Sequence, residues 1–176
     1  MKMKPIVFFI AVLFAVNFQA TAQDSTTKLL EKAQIEAKRT GKKIFVKFEA
    51  SWCGWCHRMT KNMKAVSTKK FFNENFIIVP VVVKESPKNK KLENPGGDAL
   101  IKKYNKGNSQ VGLPFWFILD ADLQLVVDSY DAQKQNLGCP ASPAEVEVFI
   151  QKLRKHASKF KSSDAAIIRK QFVKKT

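Results

Sequence analysis

Downstream of residue 24 the chain switches between two hydrophobic periods. From Ser25 to Lys42, Leu29, Leu30, Ala33 and Ala37 recur at helical spacing and Gly41 follows, which predicts an amphipathic helix with a glycine stop. Lys43 to Ala50 alternates apolar and polar positions and is rich in β-branched and aromatic residues, the pattern of a strand. A second helical pattern runs from Gly54 to Ala65, and Ser67 to Phe76 predicts a short extra turn or helix. Phe76 to Glu85 is an apolar run, which predicts a central parallel strand buried on both faces, with Pro80 interrupting its ladder.

A polar loop from Ser86 to Gly97 leads to a helix over Asp98–Lys106. Two strands, Pro114–Asp120 and Leu123–Asp131, share the turn "DADL" and predict a hairpin. Ser142, Pro143 and Glu145 together mark a capped helix start, and Val146, Phe149, Ile150 and Leu153 give that helix one apolar face. The tail from Lys161 is basic and weakly amphipathic through Ile167, Ile168 and Phe172; it predicts an added helix or a frayed tail in preference to a membrane-surface helix. No internal repeat is visible. Alternating elements followed by a hairpin predict an α/β fold: a central mixed β-sheet with helices on both faces.

The first residues follow different rules. Lys2 and Lys4 precede the apolar run Pro5 to Phe18, and Ala20-Thr21-Ala22 supplies a small-x-small cleavage pattern. Residues 1–22 therefore read as a signal peptide cut after Ala22, an uncleaved anchor being the alternative. The run is short for a bilayer span of roughly 20 apolar residues, so no stable membrane insertion is expected after cleavage. The expected organisation is a signal peptide (1–22), one domain (23–160) and a basic extension (161–176), in a periplasmic or secreted protein where disulfides persist. The formal net charge of +16 is carried by scattered lysines with no aromatic-basic recognition pattern, which reads as a solvated surface and not a specific nucleic-acid site. Weak attraction to acidic partners or anionic surfaces is compatible with it.

Three cysteines are too few for a disulfide-stapled scaffold. Two of them lie in Cys53-Gly54-Trp55-Cys56-His57, which fits both a redox dithiol and the attachment pattern of a c-type haem. A low-spin haem needs a second axial ligand. Met59 and Met63 share the helix of His57, and the only other downstream histidine is His156. A structural zinc site needs four ligands, usually as two pairs, and there is no second pair, so no metal is expected. A strand that ends at Cys53 and a helix that begins there put the thiol at a helix N-terminus, where a thiolate is favoured. Cys53 is then the attacking thiol and Cys56 the resolving one, and no cofactor is required beyond a redox-active Cys53–Cys56 disulfide. So small a ring constrains the unfolded chain little, which argues for chemistry over a staple; a peptide-binding adaptor with a static disulfide is the competing reading.

Trp52-Cys53-Gly54-Trp55-Cys56 after a strand, with Pro114 ahead of a β-hairpin, resembles the thioredoxin superfamily. More narrowly, Gly41-Lys42 followed by the strand and "SWCGWC" is similar to exported bacterial thioredoxin-like proteins. The resemblance covers Leu29 to Leu153. It implies a thioredoxin-like three-layer sandwich and a thiol–disulfide oxidoreductase that reduces or isomerises protein or peptide disulfides, working with a redox partner protein that supplies or takes electrons. It implies a cis Pro114 opposite the dithiol, with Leu113 offering its backbone to an extended substrate; an ordinary trans proline is the alternative. Trp52 and Trp55 are candidate substrate contacts, and Trp55 stands where the residue between the cysteines tunes the reduction potential. The sequence departs from the family at Lys47, where a buried carboxylate is usual. Glu49 shares a strand face with Lys47 and is the candidate proton acceptor for Cys56; alternatively both are surface residues. His57 is a candidate modulator or a solvent-facing residue. "NLGCPAS" is expected to approach the dithiol, making Cys139 a third redox-sensitive thiol, a substrate contact, or a buried inert one.

Overall fold

The Ser25 hydroxyl accepts the Lys28 amide and opens the first helix, α1 (Thr26–Thr40), which Gly41 ends in the left-handed region at φ 70°. The computed structural model describes residues 23–174; the signal peptide read at residues 1–22 lies outside the described residues. Strand β1 (Lys43–Glu49) and helix α2 (Gly54–Lys64) follow, then α3 (Lys69–Asn75) and β2 (Phe76–Val82). A single 3-10 segment, Pro87–Leu92, lies in the loop before α4 (Gly97–Tyr104). The hairpin is β3 (Phe115–Leu119) and β4 (Leu125–Asp128), and the chain continues through α5 (Pro143–His156) and α6 (Ser162–Phe172). Ser142 and Glu145 form a reciprocal capping box at the start of α5.

The four strands lie in the order β2-β1-β3-β4. β1 pairs in parallel with β2, while β1–β3 and β3–β4 are antiparallel. Strand alternation divides the core into two. Ile44, Val46 and Phe48 of β1, with Phe115, Phe117 and Leu119 of β3, face Leu30, Ala33 and Ala37 of α1 and Leu100 and Ile101 of α4. Phe45, Trp116 and Ile118 face the other way, onto Met59 and Met63 of α2, Phe72 of α3 and Phe149 of α5. The result is a mixed sheet between two helical layers.

β2 departs from expectation. It is an edge strand, not a central one; Phe76, Val79 and Val81 are buried and Pro80 is exposed. Proline has no N–H for a ladder, so it is tolerated where only one side of the strand is paired. The apolar run reflects helix cover on both faces; it does not report neighbours on both edges.

Residues after 160 complete the second core. Ile168 and Phe172 of α6 are fully buried, and the Phe172 ring lies 5.3 Å from Phe149 and 6.2 Å from Phe72. Phe172→Ala is expected to lower stability by about 3–5 kcal/mol, as for large aromatic truncations in cores. A urea midpoint shift equivalent to less than about 1 kcal/mol would show that α6 is an appendage.

Candidate active site

The dithiol sits where β1 hands over to α2. Cys53 is the N-cap of α2, and its Sγ accepts the Cys56 amide at 3.1 Å, while its carbonyl accepts the Cys56 and His57 amides. The unpaired amides of a helix start and the positive end of its dipole favour negative charge on this sulfur. Cys53 and Cys56 are joined as a disulfide with Cα atoms 5.2 Å apart. Cys53 is 4 % exposed and Cys56 is wholly buried, so Cys53 is the sulfur that a partner reaches first. Ala50 and Leu113 pack against the pair.

Two indoles frame the site. Trp52 is 61 % exposed and Trp55 48 %, an unusual pair of bare aromatics for a surface. Trp52 is held by its Nε1–H, which donates to the Lys84 carbonyl at 2.8 Å. The Lys84 ammonium in turn donates to the Val111 carbonyl on the loop that carries Leu113 and Pro114. The Leu113–Pro114 bond is cis. That loop is fixed mainly by Asn136, whose amide donates to the Gly112 and Pro114 carbonyls and accepts from the Ser129 hydroxyl and the Gly138 amide. The sequence offered no marker for Asn136 beyond its place in the loop expected near the dithiol.

Beneath the site, Lys47 and Glu49 share one face of β1 and are paired. Lys47 is buried at 2 % exposure, and its ammonium also donates to the Thr60 hydroxyl of α2 at 2.7 Å. The reading of both as surface residues therefore fails for Lys47. Helix α2 covers that face of β1, so the charge is satisfied inside the protein. Glu49 lines a cavity of about 240 Å³ together with Ser51, His57, Thr60 and Glu85. Glu85, 7 % exposed, accepts the Ser51 amide and hydroxyl and anchors the turn before Cys53. Its buried role was missed in the sequence, where it reads as the polar end of the apolar run Phe76–Glu85. His57 is exposed, and its Nε2–H donates to the Ser51 carbonyl at 2.8 Å.

Cys139 belongs to the core between the sheet and α5, not to the dithiol cluster. Burial pushes its thiol up to about 11, against the opposing pull of the Arg58 guanidinium. It is protonated at neutral pH and a poor nucleophile. Iodoacetamide at neutral pH is expected to leave Cys139 unmodified in the native oxidised protein and to label it on unfolding. Native labelling within minutes, read by mass spectrometry, would show an accessible third thiol.

Among the described residues, no helix is long and apolar enough to cross a membrane. No group of three or more His, Cys, Asp or Glu among them is disposed to hold a metal ion.

A family model described as a thioredoxin-like domain matches residues 30–127, more than half of the chain. The chain belongs to this thioredoxin-like family, within the thioredoxin superfamily. No functionally curated protein matches it. Among solved structures it is similar to a disulphide isomerase from Xylella fastidiosa Temecula1, with 20% identity, TM-score 0.47 and coverage of 67% of this chain and 80% of that one. It is also similar to the oxidised C-terminal domain of DsbD from Neisseria meningitidis, with 19% identity, TM-score 0.47 and coverage of 77% and 99%. A thioredoxin from Thermus thermophilus gives 19% identity, TM-score 0.45 and coverage of 76% and 84%.

Proposed function

We propose that this protein is a thiol–disulfide oxidoreductase that reduces or isomerises disulfides of protein substrates through Cys53 and Cys56. The observation that carries the reading is the sulfur of Cys53 capping α2 between two exposed indoles. In the reduced protein the Cys53 thiolate attacks a substrate disulfide, forming a mixed disulfide and releasing one substrate thiolate. The Cys56 thiol then loses its proton, and its sulfur displaces the second substrate thiolate, leaving the Cys53–Cys56 disulfide. Two electrons pass to the substrate, and a dithiol redox partner protein restores them. For isomerisation, the substrate's own thiol closes the cycle and no net electrons flow.

In this reading Glu49 accepts the Cys56 proton in place of the carboxylate usual at Lys47. The buried Lys47 holds Glu49 in place, with its carboxylate turned toward Thr60 of α2, and the adjoining cavity gives the proton a route outward. Trp52, Trp55 and the Leu113–Pro114 segment receive the substrate chain. An exported location, with cleavage after Ala22, suits a protein whose substrates carry disulfides.

The test is turbidimetric reduction of insulin by dithiothreitol. The wild-type protein at micromolar concentration is expected to shorten the lag severalfold. A lag identical to dithiothreitol alone, with insulin and with other protein disulfides, would favour the adaptor with a static disulfide.

A further inference from the structure

Helix α6, beyond the family-matched segment, forms an open groove of about 800 Å³ against α2, lined by Arg58, Lys61, Asn62, Ser67, Lys170 and Gln171 among others. Three of these are cationic and none is acidic. Two buried side-chain nitrogens without a hydrogen-bond partner among the described residues are Arg58 Nε and Asn62 Nδ2, and both residues line this groove. Asn62 is 5 % exposed. Its orientation is set by a relay: the Ser67 hydroxyl donates to Gln171 Oε1, and Gln171 Nε2 donates to Asn62 Oδ1, leaving Nδ2 as an unused donor. Arg58 is held by a bond from its Nη2 to the Phe172 carbonyl at 2.6 Å. Orphaned buried donors are costly; that of Asn62 is unmet by any acceptor the groove itself carries, while the Arg58 guanidinium also lies against the Cys139 thiol.

The groove is also tied to the dithiol. Arg58 lies five residues after Cys53 on α2, and its guanidinium carbon is 5.7 Å from the centre of the Trp55 ring. Trp55 is exposed at one end of α2, and Val66, 99 % exposed, stands just past the other, next to Ser67. A helix of this length spans roughly 16 Å, the reach of about five extended residues. Apolar contacts at both ends with cationic donors between them suit a polypeptide better than a small ion.

We infer that this groove is an exosite for an acidic segment of the protein that exchanges disulfides with Cys53. Carboxylates of that segment take the Arg58 and Asn62 donors and the charges of Lys61 and Lys170, while its cysteine lies at the indoles. The inference rests on the proposed oxidoreductase reading for the identity of the partner.

Binding of a fluorescein-labelled, cysteine-free peptide of alternating glutamate and leucine, followed by anisotropy, tests it. The glutamine counterpart is expected to bind at least about tenfold more weakly, and the affinity to fall as salt rises through about 0.3 M. The K61E/K170E variant is expected to lose at least about tenfold, while K102E/K103E on α4, with the same net charge, binds as wild type. Equal loss in both variants would reduce the effect to overall charge and overturn the exosite. Displacement of the peptide by equimolar inorganic phosphate would overturn it in favour of a small-anion site. Glutathione disulfide, measured on the wild-type protein, reports the dithiol separately: exchange without peptide binding sinks the exosite and leaves the activity, and peptide binding without exchange does the reverse.

Discussion

Replacing Cys53 by serine is expected to return insulin reduction to the uncatalysed rate, a loss of roughly three orders of magnitude or more. A hydroxyl at the helix N-terminus has no accessible anion at neutral pH, so the first step of exchange is lost outright. Cys56→Ser should behave differently. Cys53 still attacks, but nothing resolves the intermediate, and a covalent complex with substrate accumulates. That complex is expected on a non-reducing gel and should vanish with dithiothreitol. The assignment of roles follows from exposure and from the 3.1 Å bond to Cys53 Sγ. A trapped complex with Cys53→Ser, and none with Cys56→Ser, would reverse the two.

Glu49→Gln is expected to lower stability by about 3 kcal/mol, toward the lower end for a broken buried pair because Glu49 is itself 23 % exposed. It leaves the Lys47 ammonium inside the protein with neutral partners only, the Thr60 hydroxyl and an amide oxygen, and no counter-charge. Lys47→Met removes the charge together with its need for a partner, and should stay within about 1 kcal/mol of wild type. The double variant is therefore expected to be more stable than Glu49→Gln by about 2 kcal/mol, read from urea midpoints. Equal stability of wild type and Glu49→Gln would show that Lys47 needs no counter-charge. The chemical role is separate and is read at a temperature where every variant is folded. With Glu49 as proton acceptor, Glu49→Gln slows resolution of the mixed disulfide by about a hundredfold, while Lys47→Met, which retains the carboxylate, slows it far less. An unchanged rate of resolution in Glu49→Gln would end the assignment.

Much of this architecture is written in local periodicity. The 3.6-residue pattern of Leu30, Ala33 and Ala37 and the alternation of Ile44, Val46 and Phe48 each define one buried face, and both faces are as buried as the pattern requires. The dithiol at the strand-to-helix junction follows from the same order. What periodicity does not encode is lateral position. An apolar run such as Phe76–Val82 reads alike at the centre and at the edge of a sheet, because helices cover both faces in either place; only Pro80 hinted at the edge. Lys47 was anomalous in sequence, yet its burial depended on Thr60, a residue thirteen positions away with no pattern of its own. The groove of Arg58 and Asn62 was invisible for a similar reason. It arises where two helices distant in sequence meet, and the tail that completes it reads only as basic and weakly amphipathic.

The burial of Cys139 has a consequence for the lifetime of the exchange intermediate. A mixed disulfide on Cys53 disappears only when some thiol attacks it, and an unshielded odd cysteine in the same chain would compete with Cys56 for that step. Its success would link Cys53 to the wrong sulfur and take the molecule out of the cycle. With Cys139 protonated and enclosed between the sheet and α5, the folded chain holds a single internal competitor. Of the chain's own thiols, Cys56 alone can then displace the substrate, and it competes only with the substrate's own thiolate.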